Sequence, residues 1–258
     1  MKDRPAVIAV AMILAAFAMF LCGCEDFDDD GGGGGWSTHF LAGWGGQTCP
    51  LVALSHEITD DQFDACLSAM SGYGVITPYL YNDGDAGGYK VAAHENLDLC
   101  RARIGRMIDK GLKVWPIVVA DDSPGITGRG AAGILALFDA CEPLHGYFSG
   151  VIDGIEPEES NIDVNALGSG LKARGFRVGH HTLPLNAGGS YAACSASWCD
   201  YAMLQLGYPF ARMDIEEAKA IVDEVQGAVS ARVIAFEYDV TLDGSKLGAS
   251  GYGCGRGG

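Results

Sequence analysis

The chain has 258 residues, with 33 Asp and Glu against 17 Lys and Arg, and a formal net charge of −16. An acidic excess of that size excludes a nucleic-acid backbone or an anionic membrane surface as the natural partner. With 48% hydrophobic and 19% charged residues the body is globular rather than disordered, and its 38 glycines follow no three-residue period, which excludes collagen.

In chain order, targeting features come first. Met1-Lys2-Asp3-Arg4 is net positive and precedes an apolar run from Ala6 to Leu21. The run is shorter than the ~20 residues a spanning helix needs and suits the core of an export signal. It ends in Leu21-Cys22-Gly23-Cys24, which resembles a bacterial lipobox. That resemblance implies a signal over residues 1–23 and a lipid on Cys24; an ordinary cleaved signal is the alternative. Glu25 to Asp30 and Gly31 to Gly35 then form an acidic, flexible linker over residues 24–35. A folded body is expected over residues 36–258, outside the cytoplasm and held to a bacterial membrane by the lipid.

Export into oxidising surroundings predicts disulfides. Cys194 and Cys199 are close enough for a local loop, and Cys49 with Cys254 would tie the ends of the body together. With Cys66, Cys100 and Cys141 the number is odd, so at least one thiol is left over. No Cys-x-x-Cys pair supports a zinc site.

From Trp36 onward, short β-branched and aromatic runs alternate with amphipathic stretches. Strands are predicted at Thr38–Gly43, Gly74–Leu80, Lys113–Ala120, Gly150–Ile155, Arg177–His181, Tyr201–Leu206 and Arg232–Glu237, with a weak last one at Leu247–Tyr252. Helices are predicted at Asp60–Ser71, Asn96–Lys110, Ala131–Cys141, Val164–Arg174 and Ile215–Gln226. Gly111 and Gly175 each end a helix just before a strand, the αβ junction of a parallel sheet. The pattern predicts a compact (β/α)8 TIM barrel, with a doubly wound open sheet as the alternative.

Chemistry in such a barrel belongs at the C-terminal strand ends. Those ends are polar here: Tyr79 to Asp83, Asp121-Asp122, Glu156-Pro157-Glu158-Glu159, His180-His181-Thr182, Gln205 with Tyr208, and Glu237-Tyr238-Asp239. Acids delivered to one mouth by independent strands suit glycosidic bond cleavage, one donating a proton and the other attacking or activating water. Tyr79, Tyr81 and Tyr208 would offer flat faces to sugar rings. Asp121-Asp122-Ser123 is equally readable as a helix cap. The two adjacent histidines point to opposite sheet faces, so at most His181 or His180 reaches the interior. No metal is expected. Gly128 to Gly133 matches G-x-G-x-x-G but follows a loop, and neither a phosphate-binding G-K-S/T nor a G-x-S-x-G elbow is present, so no cofactor is expected.

The run Ile152-Asp153-Gly154-Ile155-Glu156-Pro157-Glu158 resembles the fourth-strand motif of the endo-α-1,4-polygalactosaminidase family of glycoside hydrolases, roughly D-G-V-E-P-D-N. Gly175 to Gly179, Asp200 to Gln205 and Ala235 to Tyr238 resemble that family's fifth, sixth and seventh strands, so the likeness spans about Gly150 to Asp239. It implies an exported barrel hydrolase acting on an amino-sugar polysaccharide. Glu158 and Glu237 would be the catalytic carboxyls, with Glu156, Asp121, Gln205, Tyr208, His181 and Tyr79 contacting substrate. Gln205 departs from the family, which has Glu there, and an amide cannot transfer a proton as an acid does. The alternative is therefore a surface lipoprotein that keeps the barrel to bind glycan, or another partner, without cutting.

Overall fold

The computed structural model describes residues 37–39, 50–83, 89–120, 125, 128–154, 162–185, 190–206, 214–237 and 246–254. All lie in one compact unit, Gly32–Gly258. In chain order it comprises β1 (Ser37–His39), α1 (Asp60–Ala69), β2 (Val75–Ile76), β3 (Tyr81–Asn82), β4 (Val91–Ala92), α2 (Leu97–Asp109) and β5 (Lys113–Val114). There follow α3 (Gly130–Ala140), α4 (Glu142–His145), β6 (Val151–Ile152), α5 (Val164–Ala173), β7 (Val178–Thr182), β8 (Tyr201–Gln205), α6 (Ile215–Ala228), β9 (Arg232–Glu237) and β10 (Gly251–Cys254).

A six-stranded sheet runs β1-β10-β9-β8-β7-β6, and every pairing in it is parallel. β2 and β5 form a separate parallel pair. Parallel bridges Tyr79↔Ile117, Val114↔Phe148 and Ile117↔Ile152 continue the order from β2 through β5 to β6. The strands on that side are short because Pro78 and Pro116 sit within them. Proline has no N–H to give a ladder, although both prolines still accept: Ile117 N donates to Pro78 O at 2.9 Å and Ile152 N to Pro116 O at 2.9 Å. β1 packs beside β2 without a ladder between them among the described residues, so the barrel is not closed there. Tyr79 N instead donates to Leu51 O at 2.8 Å. The antiparallel pair β3–β4 was not expected, and the last strand falls at Gly251–Cys254 rather than Leu247–Tyr252.

The helices start and stop where local chemistry dictates. Thr59 and Gln62 close a capping box on α1, Asp163 accepts from Ala166 N at 2.9 Å at the start of α5, and Asp214 does the same for Glu217 N at 2.9 Å before α6. Gly111 and Gly175 follow α2 and α5 with φ of 79° and 87°, a left-handed turn that glycine adopts without strain.

Strand alternation gives each side of the sheet a distinct role. One face looks to the helices: His180 of β7 meets Trp198, whose ring lies so close to Gly168 of α5 that a Cβ there would be 2.3 Å away. The other face is enclosed by the strands. On it Trp115 packs edge-on to Tyr201 at 5.3 Å and covers Gly150, where a Cβ would again be 2.3 Å from the indole. Tyr79, Ile117, Ile152, Met203 and Phe236 are all buried to within 1%. Burying an apolar side chain such as Ile117, Ile152, Met203 or Phe236 contributes about 1.5–3 kcal/mol.

The expected local disulfide does not form: Cys194 lies on the buried 3-10 turn Ala193–Ser195, while Cys199 Sγ donates to Tyr201 O at 3.3 Å. Cys100 and Cys141 are also buried thiols. Cys49 lies outside the described residues. Cys24 and the signal and linker residues 1–35 do too. Among the described residues no helix is long and apolar enough to cross a membrane.

Candidate functional site

Because the ladder is parallel, β6, β7, β8 and β9 all finish at one end of the sheet. β8 ends on Gln205 and β9 on Glu237, and these two are register partners. Their pairing follows a register shift: Leu204 opposes Ala235, but Gln205 opposes Glu237, so Phe236 is skipped. Bulges of this kind sit at barrel rims and next to sites because they re-aim the strand end. Spacing along the sequence gave no sign of it.

Gln205 closes the row Tyr201, Met203, Gln205 on the enclosed face. Tyr201 meets Trp115, and Met203 lies 3.0 Å from where a Cβ on Gly179 would stand. Gln205 is only 4% exposed, and its Oε1 has no hydrogen-bond partner among the described residues. His181 faces the same side: its ring is fully buried and edge-on to Phe236 at 5.5 Å. Tyr79 also lies there and is 1% exposed. Tyr81 departs from its expected role. Its hydroxyl donates to Leu137 O on α3 and lies 3.3 Å from Cys141 Sγ, so the ring belongs to the helix layer. Burial pushes the Tyr81 hydroxyl well above its ordinary value, and burial also pushes the Cys100 thiol up to about 12.

The other histidine has a partner that the sequence did not reveal. His180 Nδ1 lies 2.6 Å from Asp153 Oδ2, and both side chains are fully buried. Asp153 Oδ1 accepts from Gly154 N at 2.9 Å, which fixes the backbone from which the motif acids depart. On its far side His180 meets the Trp198 ring at 5.7 Å, and Trp198 Nε1 donates to Asn165 Oδ1 at 3.1 Å. This chain of contacts joins β6, β7 and α5 behind the strand ends. Asp153 and His180 are thus structural supports, on the opposite face from His181.

Glu156, Glu158, Asp121 and Tyr208 lie outside the described residues, as does Asp122, and Glu237 is described through its backbone. The structure brings together Gln205, His181, Phe236 and the Glu237 position. Among the described residues no three Asp, Glu, His or Cys side chains gather as a metal site would require.

Neither a protein-family profile nor a curated protein sequence matches this chain. Solved structures do. One, described as a glycoside hydrolase, superimposes with a TM-score of 0.58 at 17% identity, over 85% of this chain and 61% of its own. A family 5 glycoside hydrolase from Bacteroides vulgatus gives 0.58 at 14% identity, over 85% and 58% respectively. The endo-1,4-β-mannanase of Rhizomucor miehei gives 0.54 at 12% identity, over 89% and 88%. The chain thus spans about three-fifths of the first two structures. At such identities the likeness speaks for the fold and leaves the activity to the site. The chain has the parallel-stranded α/β fold of TIM-barrel glycoside hydrolases.

Proposed function

We propose that this protein is an exported, lipid-anchored glycoside hydrolase that cleaves polysaccharide with paired carboxylates at the C-terminal strand ends. The supporting observation is that β6 and β9, the strands leading to Glu158 and carrying Glu237, run parallel and finish at the same end of one sheet. Glu158 and Glu237 are the reacting carboxyls, one protonating the leaving oxygen and the other acting as nucleophile or base. Glu156, Asp121, Tyr208 and His181 contact substrate or tune those acids. The strand-four motif Asp153-Gly154-Ile155-Glu156-Pro157-Glu158 favours an amino-sugar polymer of the galactosaminoglycan kind. The Leu21-Cys22-Gly23-Cys24 run favours a lipid on Cys24 and a position outside the cytoplasm.

The test is release of new reducing ends from a polysaccharide panel that includes partly deacetylated galactosaminoglycan. Glu158→Gln is expected to lower the rate by about 10²–10⁴-fold while leaving the fold intact. Equal activity in that variant removes the assignment. A second reading, a barrel that binds glycan without cutting, is favoured by one observation: Gln205, an amide, ends β8 where the related strand motif has an acid. It predicts saturable binding with no new reducing ends.

A further inference from the structure

The strongest unexplained feature of the enclosed face is the Gln205 amide. Its carbonyl oxygen is buried and accepts no hydrogen bond among the described residues, although the large majority of buried side-chain polar atoms in folded proteins are paired. Leaving such an oxygen dry costs about 1–3 kcal/mol. The fold could have avoided that cost with Leu or Met, which have similar volume and no polar atom. The residue also occupies a particular place. It is the last of the enclosed-face row on β8, and it stands opposite Glu237 immediately after the register shift.

We infer that Gln205 is a specificity-determining contact whose Oε1 accepts a hydrogen bond from a neutral donor of the bound glycan, a sugar hydroxyl or an acetamido N–H. It is neither a degenerate catalytic acid nor a packing residue. A neutral donor is the better match because an amide oxygen carries no full charge to set against a buried ammonium, which needs a carboxylate. The inference rests on the glycan reading above, and it adds the atom that reads the sugar and the kind of group it reads. A site built around such an acceptor discriminates strongly against analogues that lack the donor, since the buried oxygen is then left unpaired.

The test uses the full chain with Gln205→Leu and Gln205→Glu, and as probes galactosaminoglycan, chito- and manno-oligosaccharides. Affinity, KM, kcat and thermal midpoint are followed together. Gln205→Leu is expected to weaken binding of the preferred probe by about tenfold or more and raise KM in step. In the same variant the ligand-free midpoint should stay level or rise, because an unpaired oxygen has gone from the interior. A packing role would lower the midpoint, and that result overturns the inference, as does unchanged affinity. Gln205→Glu is expected to bring no gain in kcat; a gain would mark the position as a lost acid and likewise overturn it. Hydrolysis that continues with unchanged KM in Gln205→Leu removes the inference and leaves the hydrolase reading standing. Wild-type binding without cleavage, abolished in Gln205→Leu, does the reverse. A wild-type chain that binds none of the probes overturns the inference.

Discussion

The two sides of the strand layer treat polar side chains in different ways. Toward the helices, Asp153, His180, Trp198 and Asn165 form a continuous set of contacts, and Lys172 meets both oxygens of Asp200 at 2.7 Å while Asp200 also accepts from Val178 N at 2.8 Å. On the enclosed face, Thr77 Oγ1 and Gln205 Oε1 are both buried without a hydrogen-bond partner among the described residues. A satisfied polar set specifies a unique arrangement, whereas an unsatisfied one lowers stability and persists where something else depends on it. The helix side therefore holds the strands in register, and the enclosed side leaves these two oxygens open to a partner.

The sharpest way to break this contrast is Asp153→Ala. It leaves His180 and Gly154 N without their buried partner and is expected to cost about 3–5 kcal/mol in urea unfolding. A loss below about 1 kcal/mol would mean the helix-side set contributes little. Thr77→Val works the other way. It replaces an unpaired hydroxyl with a methyl of the same shape and is expected to stabilise by about 1 kcal/mol. Destabilisation there would show that an internal water satisfies the hydroxyl and that the enclosed face is not short of partners.

The smallest effect is pH-dependent and lies among the helices. His145 stacks on Phe138 at 4.3 Å and meets Phe176 edge-on at 5.2 Å, and burial holds its pKa below the usual 6.5 despite the bond from its ring to Phe138 O. Asp139, Glu142 and Arg174 are the charged groups around it. The unfolded chain takes up this proton more readily than the folded one, so stability is level above about pH 6.5 and falls as pH drops below it. His145→Phe should flatten that slope in denaturation curves. Asp139 is separable, because Arg174 lowers its pKa from 3.8 and its contribution fades only further down the acid range.

Much of this architecture was legible in the sequence. Val178 to His181, Tyr201 to Gln205 and Arg232 to Glu237 read as strands because parallel strands buried on both faces are continuous apolar runs closed by turns. α1, α2, α3, α5 and α6 read as helices because of their apolar spacing, and in α1, α5 and α6 the caps Thr59, Asp163 and Asp214 agree with it. Other features are tertiary. Asp153 and His180 are 27 residues apart and meet only because β6 and β7 are neighbours. β3 and β4, two residues each, are too short to show a period, and they carry Tyr81 into the helix layer. The skipped Phe236 leaves no mark on composition. The Cys194–Cys199 expectation failed because closeness in sequence does not by itself bring two sulfurs into bonding geometry.

The buried thiols have a consequence for the chain's chemical lifetime. Only the thiolate attacks a disulfide or an oxidant. Cys100 is fully covered, bonds to Leu54 O through its sulfur, and has its pKa pushed up to about 12. The Cys141 thiol is held upward by burial as well, against a smaller lowering by the Tyr81 hydroxyl. Both therefore stay protonated and out of reach while the fold is intact. Packing thus shields these sulfurs, and their exchange waits on an opening of the structure that exposes them.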